Sequence, residues 1–179
     1  MIDSETKSKP NPIEKPQALT LSCGFYASGE NLRFRPMTMA GIDEIMVIER
    51  SSYRFPWSQG FFLQELQVTC ARSILAELDG KIVGYILYWL LPDMIDIHNL
   101  ATHVEYRRRG VARLLLSQVL VQAGAQFISR VALEVRKSNL PAQRLYESFG
   151  FARTGLRKGY YSDNGEDALA MTLEVTPIG

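Results

Sequence analysis

The chain has 179 residues, 46% of them hydrophobic and 22% charged, with a formal net charge of +1. That balance describes one globular domain with a full core, and it excludes a chain built overall to coat nucleic acid or an anionic membrane. Two cysteines, Cys23 and Cys70, and two histidines, His98 and His103, match no metal-ligand spacing, so no metal is expected.

Residues 1–30 begin with the polar stretch MIDSETKSKPNPIEKPQ. They read as a flexible tail with at most a short ordered piece near Leu21–Tyr26, and they are unlike a secretory signal. No apolar run reaches the roughly 20 residues of a membrane span, so a cytoplasmic protein with reduced thiols is expected. The folded domain should occupy residues 31–176.

The stretch NLRFRPM reads as a strand ended by Pro36. TMAGIDEIMVIERSSY reads as a helix, with Thr38 as its cap and Ile42, Ile45, Met46 and Ile48 on its apolar face. RFPW interrupts it, and Ser58 caps a short helix, SQGFFLQELQ. ARSILAELDGKIVGYILYWLL is a hairpin turning at DGK, and MIDIHNLAT is a further strand. GVARLLLSQVLVQAGAQF is the strongest helix, with Val111, Leu115, Val119 and Gln122 along one face. VALEVRK is a strand. SNLPAQRLYESFG is a helix capped by Ser138 or Asn139, with Pro141 in its first turn and Gly150 at its end. FARTGLRKGYY and DALAMTLEV are strands joined by SDNGE. The order is β-α-α-β-β-β-α-β-α-β-β, and the unit from Met94 to Lys137 should be a parallel crossover.

Residues 106–116 read YRRRGVARLLL: three arginines and a glycine at the mouth of a helix. A helix N-terminus carries unpaired N–H groups and the positive end of a dipole, and glycine lets a ligand approach the backbone. Arg107, Arg108 and Arg109 add charge, so this corner suits a polyphosphate; a solvated basic turn is the bland alternative. No Gly-Lys-Ser/Thr ends the loop, which speaks against a nucleotide-hydrolase P-loop, and a third glycine for a dinucleotide fingerprint is missing.

Arg107-Arg108-Arg109-Gly110-Val111-Ala112 resembles the Gln/Arg-x-x-Gly-x-Gly/Ala motif of the GCN5-related N-acetyltransferases. LEVRKSNLPAQRLYESFGF resembles that family's next strand and helix. RFPWS and GYYSDNGEDALAM resemble its ribosomal-protein-alanine acetyltransferase branch, known as RimI. The matches span about residues 31–176. They imply an α/β GNAT fold: a mixed sheet of about seven strands flanked by about four helices, with splayed parallel strands holding acetyl-CoA. The pyrophosphate would sit on the loop from Arg107 to Arg113, Val111 and Ala112 included. Leu100, Ala101 and Thr102 would offer backbone groups to the acetyl and pantetheine portion. The implied acceptor is an N-terminal α-amino group, that of the alanine of ribosomal protein S18, with no direct nucleic-acid contact and a monomer or weak dimer as the working unit. Thr102-His103-Val104 departs from the Val-Asp-Pro common in the family, and the second loop glycine is Ala112.

Individual residues carry two readings each. Glu134 sits mid-strand on the face opposite Val131, Leu133 and Val135. A carboxylate there is costly unless paired or used, so it is either salt-bridged to Arg136 or a neighbouring strand, or a general base. Tyr146 shares a helix face with Ala142, Leu145 and Phe149, which reads as core; the resemblance makes it the acid that protonates the departing thiolate. Asn139 is a helix cap that the resemblance also places against acetyl-CoA. Phe55, Pro56 and Trp57 are a core plug or a peptide-groove wall. Tyr160 and Tyr161 are a cross-strand aromatic pair or a lid over the acceptor. A small amine or a lysine as acceptor, an acyl-CoA-sensing module and RNA binding through the arginines remain as alternatives.

Overall fold

The computed structural model describes Gly24, Phe25 and residues 31–175. Its strands are β1 (Gly24–Phe25), β2 (Asn31–Arg35), β3 (Ala71–Leu78), β4 (Lys81–Leu90), β5 (Met94–Thr102), β6 (Arg130–Arg136), β7 (Ala152–Tyr161) and β8 (Glu166–Glu174). The helices among the described residues are α1 (Ile42–Ser52), α2 (Gln59–Glu65), α3 (Val111–Ala125) and α4 (Leu140–Glu147). From β2 onward the chain follows the element order read from sequence. β1 adds a two-residue strand inside the stretch read as a tail; the rest of residues 1–30 lies outside the described residues.

The strands form one sheet in the order β1-β2-β3-β4-β5-β6-β8-β7. Every neighbouring pair is antiparallel except β5 and β6, which the crossover through α3 makes parallel. The β3–β4 hairpin turns at Asp79 and Gly80, both with positive φ, as the DGK signal requires. β4 is buried almost throughout because helices cover both of its faces, so its sequence reads as one apolar run rather than an alternation.

Two apolar clusters lie on opposite faces. One joins α3 and Tyr146 of α4 to residues of β2, β3, β4, β5, β6 and β8, including Ile95, Ile97, Leu133 and Met171. The other joins α1 and α2 to Leu75, Ile82, Tyr85, Leu87 and Ala101, and takes nothing from β6, β7 or β8. The helices α1 and α2 therefore cover only the β3–β5 part of their face, and no helix among the described residues covers that face of β6.

The entry into α1 differs from the sequence reading. Thr38 makes no side-chain capping bond; it precedes a 3-10 turn, Met39–Gly41, and α1 starts only at Ile42. Ser58 and Asn139 do cap: Ser58 Oγ accepts from the Phe61 amide at 3.2 Å, and Asn139 Oδ1 from the Ala142 amide at 3.2 Å. No described helix is long and apolar enough to cross a membrane.

Candidate active site

The site begins with a break in strand pairing. β5 and β6 pair only from Met94–Arg130 to Ile97–Leu133. Beyond that, β5 continues along β4 to Thr102 and β6 continues along β8 to Arg136, and a gap opens between them. The cause is a bulge. On β4, Leu87 faces Asn99 and Tyr88 faces Ile97, so His98 is an extra residue on β5. A bulge bends and twists its strand, and this one also reverses which face each side chain takes. Ile95 and Ile97 point to the α3 cluster, whereas Ala101 points to the α1 cluster.

The bend leaves backbone amides without a strand partner. The His103 amide donates to the Val83 carbonyl at 2.9 Å, and hydrogen-bonded pairs alternate along an antiparallel ladder. Leu100 and Thr102 hold the intervening positions, opposite Ile86 and Gly84, so their N–H and C=O groups point away from β4 into the gap. Those amides can pair with an extended ligand as a further strand would.

Below the gap lies the start of α3. Gly110 is its N-cap with φ 88 and offers no side chain, so the first amides of the helix have no protein cap. Arg108 is left-handed as well, with φ 63, and Arg107 to Gly110 are all exposed. The arginines divide their work. Arg107 turns back to the Thr102 carbonyl (3.3 Å), the Ser51 carbonyl (3.4 Å) and Ser52 Oγ (3.2 Å), tying the loop to the end of α1. Arg109 lies over the Tyr106 ring, with Lys81 also against that ring. Arg113 stacks on Phe149 and donates to Ser148 at 2.8 Å. The helix can approach the sheet this closely because of Gly84. A Cβ there would stand 2.9 Å from Val111 Cγ1 and 3.0 Å from the Ala101 carbonyl oxygen.

A cleft of about 870 Å³ occupies the gap. It is lined by Glu134 from the helix-free face of β6 and by Tyr146 from α4 on the opposite face, so it passes between the splayed strands. Leu100, Asn139, Phe55, Trp57, Tyr160 and Tyr161 also line it. Pro56, Ala101, Thr102 and the loop from Arg107 to Arg113 do not.

Glu134 faces Arg157 Nη2 at 2.8 Å, so the partner is two strands away on β7 and not Arg136. Arg136 is held instead by Asp163 at 2.5 Å and Glu166 at 3.2 Å, with Tyr161 stacked on its guanidinium. Burial pushes the Glu134 carboxyl above its ordinary value; Arg157 pulls it back down, while Asp96 raises it and His98 lowers it. A carboxylate raised in this way is a better proton acceptor and remains reachable from the cleft. Tyr146 is buried, and burial together with Tyr161 keeps its phenol protonated well above the ordinary range. The Tyr146 ring is core, packed on Phe151, and the residue also lines the cleft. Trp57 likewise packs on Phe61 and Phe62 while facing the cleft. Tyr160 and Tyr161 meet edge to face at 5.2 Å as chain neighbours, not as a cross-strand pair.

A family model for the Acetyltransferase (GNAT) family matches residues 42–151. The chain belongs to that family. It is 39% identical over 142 residues to a Bacillus subtilis (strain 168) protein whose name gives it, provisionally, as a ribosomal protein bS18-alanine N-acetyltransferase; the match covers 79% of this chain and 94% of that one. It is 32% identical over 156 residues to an N-alpha-acetyltransferase of Saccharolobus solfataricus, covering 80% and 93%. The crystal structure of the ribosomal-protein-S18-alanine N-acetyltransferase from Escherichia coli superposes with a TM-score of 0.76 at 28% identity, covering 83% of this chain and 96% of that one. The protein is therefore a GNAT-type N-acetyltransferase similar to RimI.

Among the polar residues of the cleft that escaped the sequence reading are Glu49, Tyr53 and Asn99. A signal existed for the first. Ile42, Ile45, Met46 and Glu49 follow the i, i+3, i+4, i+7 pattern, so a carboxylate occupies a core position of α1. It is 1% exposed.

Proposed function

We propose that the protein moves the acetyl group of acetyl-CoA directly to the N-terminal α-amino group of a protein, that of the N-terminal alanine of ribosomal protein S18. The observation that carries this reading is the cleft between the splayed strands, where Glu134 and Tyr146 enter from opposite faces of the sheet. A donor and an acceptor can then approach from different sides and meet in the gap. The names of the Bacillus subtilis and Saccharolobus solfataricus relatives support an α-amino acceptor.

The open start of α3, at Gly110, Val111, Ala112 and Arg113, fits the pyrophosphate of acetyl-CoA, and the exposed Arg108 can screen it. The Leu100 and Thr102 amides fit the pantetheine arm, and the Leu100 N–H can stabilise the oxyanion that forms at the thioester carbon. Asn139 caps α4 and lines the cleft, where it can meet the same arm. An α-amino group has a pKa of about 7.7–8.0. Glu134, directly or through one water, takes its proton as nitrogen attacks the thioester carbonyl. The carbon–sulfur bond breaks, and Tyr146 gives its proton to the departing thiolate. Phe55, Trp57, Tyr160 and Tyr161 line the cleft where the acceptor would enter.

The test is transfer from labelled acetyl-CoA to a peptide with a free N-terminal alanine, the same peptide blocked at its N-terminus but carrying a lysine, and spermidine. Label on the free-alanine peptide alone is expected, with Glu134→Gln and Tyr146→Phe each slower by at least ~100-fold. Label on the blocked peptide or on spermidine would replace the acceptor and keep the chemistry. Acetyl-CoA binding without any turnover would favour a sensing module.

A further inference from the structure

Glu49 is a buried carboxylate surrounded by donors. Its Oε1 accepts from the Trp57 amide at 2.8 Å, and its Oε2 accepts from the Tyr85 hydroxyl and from Asn99 Nδ2 at 3.3 Å. Asn99 turns its other end outward. Its Oδ1 lies 2.7 Å from the Tyr53 hydroxyl, which is also 3.0 Å from the Leu100 carbonyl. One connected set of side chains thus runs from the Phe55–Trp57 loop, through α1 and β4, to the edge of β5 that opens into the gap.

The chemistry of the set is one-directional. Three groups donate to Glu49, one to Oε1 and two to Oε2, and a carboxylate accepts all three at once. Burial raises this carboxyl, and the three hydrogen bonds offset part of that cost. A fold needing only apolar packing here would be served better by a leucine on α1. The polar set fixes two things that packing alone leaves loose: the height of the Trp57 backbone, and the direction of the Leu100 peptide, whose carbonyl is held by Tyr53 and whose amide faces the gap.

We infer that Glu49, Asn99 and Tyr53 are positioning residues that hold the acceptor loop at Trp57 in register with the thioester-binding edge of β5 at Leu100. This rests on the transfer reading above. The set does not touch the reacting atoms. It acts on the distance and angle at which an amine seated on the loop meets a carbonyl seated on the strand, and misplacement on the scale of an ångström costs large factors in rate.

The full chain serves for the test, with three measurements: steady-state kinetics on the alanine-terminated peptide, calorimetric titration of acetyl-CoA, and hydrogen exchange at the Trp57 amide. Glu49→Gln keeps the volume and replaces one accepting oxygen with an NH2 among groups that donate to it. Its expected signature is an acceptor kcat/KM about tenfold lower, an acetyl-CoA Kd within about twofold of wild type, and Trp57 exchange faster by about tenfold. Tyr53→Phe deletes one hydroxyl from a half-buried ring and should lower acceptor kcat/KM about threefold. The double variant should lose less than the product of the two, because both break one set. Acceptor kcat/KM unchanged in both variants would overturn the inference. So would equal weakening of peptide and acetyl-CoA, the mark of general loosening. If Glu49→Gln does not fold, the same criteria apply to Tyr53→Phe. If wild type does not acetylate the peptide, the transfer reading falls on its own. Exchange at Trp57 then decides: slow in Glu49→Gln overturns the tether, fast supports it.

Discussion

The two walls of the cleft hold their acids in opposite ways. On the β5 side, Glu49 is sealed under α1 with three donors on its two oxygens. On the β6 side, Glu134 lies on a face that no helix among the described residues covers, with the exposed Arg157 as its ion-pair partner. A carboxylate that is 1% exposed and bonded at both oxygens is committed to its donors, although burial raises it as well. An under-partnered one, raised by burial and open to the cleft, can accept a proton and release it. Coverage by α1 and α2 is the physical difference, since those helices end their reach at β5.

Substituting both acids with glutamine separates the two roles most sharply. Glu134→Gln should lower kcat by at least ~100-fold while leaving the acceptor KM near wild type, whereas Glu49→Gln should cost about tenfold in acceptor kcat/KM. Similar kinetic signatures in the two variants would dissolve the comparison. Gly84→Ala attacks the platform beneath both walls. The added Cβ meets Val111 and the Ala101 carbonyl, so α3 must lift. The expected outcome is about 1–3 kcal/mol of lost stability by denaturant titration, together with weaker acetyl-CoA binding.

The exposed arginine gives a finer probe. Arg157 favours the ionised form of Glu134, so Arg157→Gln should move the acid limb of kcat/KM to higher pH. No movement would mean that another group sets that limb. The smallest effect concerns the turn between β7 and β8. Glu166 is held at about 2 by Ser138, whose amide donates to it at 2.8 Å, and by Arg136 and Asn164. Its folded value lies below the ordinary 4.5, so the unfolded chain binds more protons between those values. The stability it contributes is complete above about pH 4.5 and lost as pH falls towards 2. Glu166→Gln should flatten that part of the acid-denaturation curve.

Much of this molecule was readable in the chain. Periodicity places α3 and its buried face, the DGK turn closes the β3–β4 hairpin, and Ser58 and Asn139 start their helices because local capping depends on a few adjacent residues. The open start of α3 was legible for the same reason: an uncapped helix start with a glycine is a local property. Glu134 stood out as a carboxylate in an apolar strand, although its partner was not readable, because Arg157 reaches it across two strands of the sheet. The bulge at His98 left no mark in MIDIHNLAT, since one extra residue is defined only by the strand opposite. Without it, Asn99 and Ala101 would share the face of Ile95 and Ile97, and the gap would not open where it does. The sequence by itself determined the elements, their order and the chemistry of the helix start, which arise from neighbours in the chain. Only the tertiary structure decided which face of β6 stays uncovered, how β5 parts from it, and that Glu49, Asn99 and Tyr53 meet, because those depend on residues about 50 positions apart brought together by packing.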